Sequence, residues 1–212
     1  MDRSRRFLLA GVATVLSGLT GCAITPESSF EDYAQSQPLN KENVHVFFLE
    51  SPADFLRLGD IRRLSTYLKD QGFPNAYYYR MTPSGVARMR GSRIELAQHI
   101  YQIRAMNPNA RILLYGWSAG SLIGIDAMNR LGLTGIRIDT ALYVDSTFVR
   151  FVPYHPPNVD RIALIYRRQN CVPQQLPHAV IYPIKEFGHL SVPTDKEAVD
   201  ALMLEVIRLA EL

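Results

Sequence analysis

The sequence predicts an α/β fold, a three-layer α/β/α sandwich built on a mostly parallel sheet of about six strands. Six short apolar runs rich in β-branched and aromatic residues recur along the chain, and segments with apolar residues at helical spacing separate most of them. Glycine or Asn-Pro breakers end several helical segments. Strands that are apolar along their whole length are typical of parallel sheets covered by helices on both faces, so this alternation favours that architecture.

The predicted elements follow one another from residue 44 to the C-terminus. We expect strands at 44–49, 76–79, 111–115, 139–144, 162–166 and 180–184, and helices at 55–71, 93–106, 119–131 and 195–212. Gly72 and Gly132 end the first and third helices, and Ser92 with Glu95 three residues later is a candidate capping pair for the second. Ligand sites in open parallel sheets lie at the carboxyl ends of the strands, so we expect the chemistry there.

The first 21 residues have the features of an export signal. Arg3, Arg5 and Arg6 precede an uncharged stretch over 7–20, which is too short to span a bilayer comfortably. The stretch ends in Leu-Thr-Gly followed by Cys22, a pattern that resembles the lipobox of bacterial lipoproteins. The resemblance implies cleavage before Cys22 and a lipid on its thiol. An ordinary signal peptide or an anchor helix with an incidental cysteine is the alternative.

The leader also implies a location. A lipid on Cys22 places the protein in the bacterial cell envelope, anchored to a membrane on the periplasmic side, and Ala23 after it resembles the pattern sent to the outer membrane. The run Ser-Arg-Arg-Phe-Leu over 4–8 resembles a twin-arginine signal, which leaves Sec and Tat export both open. We therefore expect a signal peptide at 1–21, a polar tether at 22–42 and the folded domain at 43–212.

Composition excludes several classes of partner. The formal net charge is +3 at pH 7, most of it in the leader, and no run of Lys or Arg forms a nucleic-acid footprint. Gly116 and Gly120 lack the lysine of a P-loop and the spacing of a dinucleotide-binding turn, and no metal signature occurs, so we expect no cofactor and no metal. Only Cys171 accompanies Cys22, so no intrachain disulfide is expected. Nothing in the sequence indicates the oligomeric state.

A candidate nucleophile lies between a predicted strand and a predicted helix. Gly116-Trp117-Ser118-Ala119-Gly120 is a G-x-S-x-G motif, and this context makes it far more specific than the pattern alone. A sharp strand-to-helix turn exposes the Ser118 hydroxyl, and the flanking glycines relieve crowding. The helix N-terminus favours developing negative charge beside it. The alternative is a tight turn with a capping serine.

A serine hydroxyl needs a base, and the base needs an orienting acid. His189 follows the last predicted strand and is the expected general base and acid; His155 in a Pro-rich loop competes with it, and His189 can also be a loop histidine with no role. Asp145 ends the strand predicted at 139–144 and is the expected third member, with Glu186 as the fallback. The chain order Ser118, Asp145, His189 is the order found in α/β-hydrolases.

Residues 43–212 thus resemble the α/β-hydrolase superfamily, with strands corresponding to its third to eighth. The resemblance implies a minimal core without a large cap domain. One departure stands out: the family acid usually follows the seventh strand, whereas Asp145 follows the sixth, and no carboxylate occurs just after the seventh.

The resemblance also implies an oxyanion hole and a substrate pocket. The N–H of Ala119 is the expected first donor. The second donor comes from the loop after the first strand, where Ser51 is the best candidate and Glu50 the next, because Pro52 cannot donate. The expected pocket residues are Trp117, Phe148, Phe151 and Tyr154. Each of them has an alternative role, Trp117 in ordinary core packing and the other three in sealing the edge of the sheet.

These residues predict a serine hydrolase that cleaves carboxylic esters or thioesters, of small molecules or of lipids, through a Ser-His-Asp triad. An acyltransferase or thioesterase with the same triad comes second and a peptidase third. The rival from another class is a catalytically silent envelope protein that keeps the fold for binding.

Overall fold

The computed structural model describes residues 25–30, 33, 40–51, 59–81, 87–89, 95–151, 155–168, 176, 178–186 and 188–212. The predicted signal peptide, Cys22 and Tyr154 lie outside the described residues. A seven-stranded sheet forms the centre, with the strands β1 (Val44–Leu49), β2 (Ala76–Met81), β3 (Ala87–Met89), β4 (Arg111–Trp117), β5 (Ile138–Val144), β6 (Val159–Arg167) and β7 (Val180–Ile184). Their order in the sheet is β3-β2-β1-β4-β5-β6-β7.

The six predicted strands are confirmed, and they are the six that run parallel. The seventh, β3, pairs antiparallel with β2 and lies at the edge of the sheet. It was not predicted, because three residues carry no periodicity. Strand β4 continues two residues past its predicted end because Gly116 and Trp117 pair with Tyr143 and Val144 of β5.

Among the described residues, four helices cover the sheet: α1 (Ile61–Asp70), α2 (Leu96–Met106), α3 (Gly120–Gly132) and α4 (Lys196–Ala210). Apolar residues of α1 and α4, such as Leu64 and Leu202, share one buried cluster with one face of the strands. Residues of α2 and α3, such as Ile100 and Met128, share a second cluster with the other face. The predicted three-layer sandwich is therefore confirmed, and both faces of the sheet are removed from water.

Helix boundaries differ from the prediction by a few residues, and the physical causes are local. Helix α2 begins at Leu96, with Glu95 in extended conformation before it, and the expected cap Ser92 lies outside the described residues. Helix α4 begins at Lys196 because the side chain of Asp195 accepts hydrogen bonds from the amides of Glu197 and Ala198. The segment predicted as a loop after β5 contains a 3₁₀ turn at Thr147–Phe151.

The topology fixes where a site can form. Strand β1 pairs with β2 on one side and with β4 on the other, so the connections leave it in opposite directions. Such a switch point opens a crevice at the carboxyl ends of the two strands. Glu50 and Ser51 follow β1 at this edge, and Ser118 follows β4 there.

A buried histidine, His45, lies near the amino end of β1, at the opposite edge of the sheet from the crevice. His45 is 8% exposed, and its Nδ1 is 3.2 Å from the hydroxyl of Tyr77. Burial, and secondarily the charges of His99 and Arg104, lower the pKa of His45 to about 4. Its ordinary pKa in an unfolded chain is near 6.5, so the unfolded chain binds a proton that the folded state excludes as the pH falls from 6.5 towards 4.

Because the folded state holds His45 neutral, we expect its contribution to the unfolding free energy to be fully present above pH 6.5. That contribution should be lost as the pH falls from 6.5 towards 4. The loss should be about 2–3 kcal/mol of unfolding free energy across that window. Urea denaturation at pH 7 and pH 5 should show a smaller difference for His45→Gln than for the wild type. The exposed His178 supplies the matched control, His178→Gln, which should behave as wild type. An unchanged pH dependence in His45→Gln would contradict the expectation.

Candidate active site

Ser118 lies in a strained turn between β4 and α3. Its φ is +51°, in the left-handed region that residues other than glycine rarely adopt. A Cβ on Gly116 would lie 2.6 Å from Ser121 Cα, and a Cβ on Gly120 would lie 2.1 Å from the carbonyl oxygen of Leu49. Both neighbours are backbone atoms, so only glycine fits at either position. The two glycines of the motif are therefore required by the close packing of this turn against α3 and β1.

Hydrogen bonds hold the turn in place. The amide of Ser118 donates to Val144 O at 2.9 Å, and the hydroxyl of Ser121 donates to Ser118 O at 2.8 Å. The Ser121 hydroxyl is also 2.6 Å from that of Ser146, which follows Asp145. The turn after β4 is thus tied directly to the turn after β5, which carries the predicted acid.

Asp145 occupies a second strained turn, with a φ of +42°. Its amide donates to Ile165 O at 2.8 Å, and its side chain is fully buried. The Nδ1 of His189 is 2.6 Å from Asp145 Oδ2, and the Nε of Arg167 donates to the same oxygen at 2.7 Å. The buried carboxylate is therefore paired with an imidazole and a guanidinium, and this pairing offsets the cost of removing its charge from water.

The loop that carries His189 is closed by its own hydrogen bonds. The amide of Gly188 donates to Glu186 Oε1 at 2.6 Å, and the hydroxyl of Ser191 donates to Gly188 O at 3.0 Å. The imidazole stacks on the indole of Trp117, with ring centroids 5.2 Å apart and an interplanar angle of 29°. Glu186, the fallback acid, thus holds the loop, whereas Asp145 contacts the imidazole.

His189 contacts Asp145 directly, and its ring lies against Trp117, the residue before Ser118. Within the described part of the chain, no hydrogen bond joins Ser118 Oγ to the imidazole. Because Nδ1 faces Asp145, Nε2 is the nitrogen left for the serine. Catalytic hydrogen bonds of this kind are often long without substrate and tighten when it binds.

The remaining histidines are engaged elsewhere. His155, the competing base, has its Nε2 against the hydroxyl of Tyr143, and burial lowers its pKa. His99 Nδ1 is 2.7 Å from the hydroxyl of Tyr79. His178 lines a cavity of about 530 Å³ at the amino ends of the strands, on the opposite edge of the sheet from Ser118.

The expected oxyanion donors lie at the same edge as Ser118. Ala119 has helical dihedrals and directly precedes α3, so its amide belongs to the first turn of that helix. Ser51 is buried at the end of β1. The Cβ position of Gly120 lies 3.3 Å from the carbonyl carbon of Glu50, so the end of β1 and the start of α3 are in contact. The amides of Ala119 and Ser51 are thus placed on two adjoining backbone segments.

The expected pocket residues differ in where they lie and in how far they are buried. Trp117 is buried in the core on the α1 and α4 face, with its ring against His189, so it has the packing role as well as a place beside the site. Phe148 is 38% exposed on the 3₁₀ turn after Asp145. The backbone of Phe151 ends that turn, and its side chain, like the whole of Tyr154, lies outside the described residues.

Two contributors to the site were missed by sequence reasoning. Arg167 ends β6 and donates from there to Asp145, the predicted acid. Ser146 bonds Ser121 and accepts, through its carbonyl, the hydroxyl of Tyr166. The only signal for Arg167 was its position at the end of the strand without a carboxylate after it, and no pattern pointed to Ser146.

The described residues contain no group of three or more His, Cys, Asp or Glu side chains arranged to hold a metal ion. None of the helices in this part of the chain combines the length and the apolar character of a membrane span. A cavity of about 350 Å³ lies at the carboxyl edge, lined by Glu50, Asp60 and Arg62 among others.

Comparisons with known proteins add little to this geometry. No family model matches the chain. No curated protein matches it. Among solved structures, the chain is similar to the NocB thioesterase domain in covalent complex with a fluorophosphonate nocardicin G analog, with a TM-score of 0.43 and 16% identity over 79% of this chain and 92% of that one. A similarity at this level carries no functional argument, so the function has to be argued from the residues of the site.

We expect Gly120→Ala to damage both the fold and the site, because the added methyl group would meet the backbone oxygen of Leu49 at 2.1 Å. The loss of unfolding free energy should exceed about 2 kcal/mol. Gly132→Ala is the matched control in the same helix, since its methyl group would meet only the Asn158 side chain at 3.3 Å or more. Chemical denaturation that gives equal stabilities for the two variants would contradict this account of the turn.

Proposed function

We propose that the protein is a serine hydrolase of the α/β-hydrolase type, which cleaves carboxylic esters or thioesters through Ser118, His189 and Asp145. The observation that carries the proposal is the 2.6 Å contact between His189 Nδ1 and the buried Asp145 Oδ2, at the edge where Ser118 occupies its strained turn. The three residues are far apart along the chain, and only the sheet brings them to one rim.

The reaction proceeds in two steps through an acyl-enzyme. His189 Nε2 takes the proton of the Ser118 hydroxyl as Ser118 Oγ attacks the carbonyl carbon of the ester. The tetrahedral intermediate collapses, the bond to the leaving oxygen or sulfur breaks, and His189 gives its proton to that atom. His189 then takes a proton from water, the resulting hydroxide attacks the acyl carbon, and the proton returns to Ser118 as the acid leaves.

The surrounding groups stabilise the charges that form in these steps. The amides of Ala119 and Ser51 bind the oxyanion, and the N-terminal end of α3 favours negative charge at the same place. Asp145 holds the tautomer of His189 that presents Nε2 to the serine, and it stabilises the imidazolium. Arg167 donates to the same carboxylate oxygen and fixes its position.

Acyl transfer to an acceptor other than water is the second candidate, because an acyl-enzyme serves a transferase or thioesterase equally well. The exposure of His189, whose side chain is 37% exposed, favours water as the acceptor, since the imidazole that activates it is accessible from solvent.

A fluorophosphonate probe tests the nucleophile. The wild type should be labelled covalently, and Ser118→Ala should not be, because the hydroxyl that attacks phosphorus is absent. Intact-protein mass spectrometry gives the readout. Ser65→Ala is the matched control, a buried serine of helix α1 whose hydroxyl bonds only its own helix, and it should retain labelling. A wild type that stays unlabelled would remove the enzyme proposal in favour of a silent binding protein.

The rate of hydrolysis of a soluble p-nitrophenyl ester tests the assignment of Asp145 as the acid. Asp145→Asn should slow hydrolysis by about 10³- to 10⁴-fold through loss of the imidazole tautomer and its charge stabilisation. Glu186→Gln should have a much smaller effect, because Glu186 contacts the loop backbone. If Glu186→Gln were the more damaging of the two, the acid would be reassigned to Glu186.

We further propose that the mature chain begins at a lipid-bearing Cys22 and is held at a membrane of the bacterial envelope. The support is the Leu-Thr-Gly-Cys pattern at the end of an uncharged stretch preceded by arginines. The polar segment that follows leads into the folded domain.

Cys22→Ser should abolish both incorporation of labelled palmitate and recovery of the protein in the membrane fraction, because the serine hydroxyl is no substitute for the modified thiol. Cys171→Ser provides the matched control with the other cysteine and should leave both unchanged. Lipid incorporation that persists in Cys22→Ser would overturn the anchor.

A further inference from the structure

The start of the described chain is attached to the domain along helix α4. The Ser28 hydroxyl and the Ser29 amide both donate to Asp200 Oδ1, at 2.6 and 2.7 Å. The ring of Phe30 packs against the core on the α1 and α4 face. The described parts of the predicted tether therefore lie against the domain, and this attachment limits where an anchor just before them can lie.

The two points of attachment lie at different distances from the two edges of the sheet. Helix α4 begins after the His189 loop, at the carboxyl edge, and ends at the amino edge, where Ala210 O accepts the amide of Asn40. Asn40 therefore lies at the amino edge, and Ser28 lies beside Asp200, nearer the carboxyl edge. At about 1.5 Å of rise per residue, Asp200 lies about 6 Å from the start of α4 and about 15 Å from its end.

Cys22 is six residues before Ser28, and six residues span at most about 20 Å. The nearer edge is the carboxyl edge, which carries Ser118 and His189. Six residues can reach either edge, but the direction from Asn40 to Ser28 leads towards the carboxyl edge, so we expect the lipid on Cys22 beside the rim of the site.

Large apolar side chains are exposed around that rim. Leu122 is 39%, Phe148 38% and Leu190 43% exposed, and each follows one of the three site residues by one to four positions. Exposed apolar residues occur at the amino edge as well, where Met106 and Leu133 lie at or just after helix ends. Exposure alone does not distinguish the edges, so the path of the N-terminal segment decides between them.

We propose that the carboxyl edge of the sheet faces the bilayer that holds the lipid anchor, and that the substrate is an acyl ester embedded in that bilayer. This proposal rests on the hydrolase function and on the lipid anchor at Cys22. The exposed rim enters the interface between lipid headgroups and acyl chains, as amphipathic surfaces do. The short link keeps the site at the surface from which its substrate comes.

The test uses the full-length acylated chain reconstituted in phosphatidylcholine vesicles that contain 4-methylumbelliferyl palmitate, with p-nitrophenyl acetate as the soluble substrate. Leu122→Asp should lower hydrolysis of the palmitate about tenfold or more, because a charge is placed against the bilayer, and should change acetate hydrolysis less than twofold. Leu133→Asp, at the opposite edge, is the matched control and should leave both rates unchanged.

A second measurement does not depend on activity. Leu122→Trp and Leu133→Trp each add one tryptophan to the native Trp117, whose signal is measured in the wild type and subtracted. Brominated phosphatidylcholine should quench the added tryptophan at 122 and leave that at 133 unquenched. Equal quenching at the two positions, or quenching only at 133, would overturn the orientation. A lack of quenching at 122, as expected if a second copy of the chain covers the rim, would overturn it too.

The outcomes distinguish a failure of the proposed orientation from a failure of the proposed hydrolase function. A wild type that hydrolyses neither ester but shows quenching at 122 would end the hydrolase function and keep the orientation. A wild type that hydrolyses acetate, with Leu122→Asp and Leu133→Asp equal on vesicles, would keep the hydrolase function and end the orientation.

Discussion

The close approach of helix α3 to the end of β1 is the constraint on which the site depends. The backbone of Gly120 lies so near Leu49 O that no side chain fits between them. This contact forces a sharp turn on the chain between β4 and α3, and the turn places Ser118 in the left-handed region at the head of a helix. The same contact brings the residues after β1 beside the helix N-terminus, so one packing contact sets the positions of both Ser118 and the neighbouring amides.

A buried carboxylate links this turn to the rest of the rim. Asp145 is removed from water, so its charge must be paired, and the structure supplies His189 and Arg167 on the same oxygen. Removing one partner would leave a poorly compensated buried charge, so the pairing stabilises the fold as well as orienting the imidazole. Strand β6 thus contributes the cation that shares the buried carboxylate with the imidazole.

The two edges of the sheet use charge differently. At the amino edge, Glu205 is buried and accepts a bidentate hydrogen-bond pair from Arg161. Burial raises the pKa of Glu205, but its hydrogen bonds and the arginine charges outweigh burial and hold that pKa below its ordinary value. This pairing of Glu205 with Arg161 ties α4 to strand β6 of the sheet. The carboxyl edge instead keeps a half-exposed imidazole and a serine in a strained turn, which is how stability and chemistry are separated in parallel α/β folds.

The sequence by itself determined the layer architecture, the six parallel strands and the Ser118 turn, because apolar periodicity and a glycine pair around a serine reflect local physics. It also indicated Asp145 and His189 through their places at strand ends. Only the tertiary structure decided that these two side chains meet, that Arg167 shares the carboxylate, and that residues 28–30 lie along α4. These are contacts between segments distant in the chain, and no periodicity records which distant side chains a folded sheet brings together.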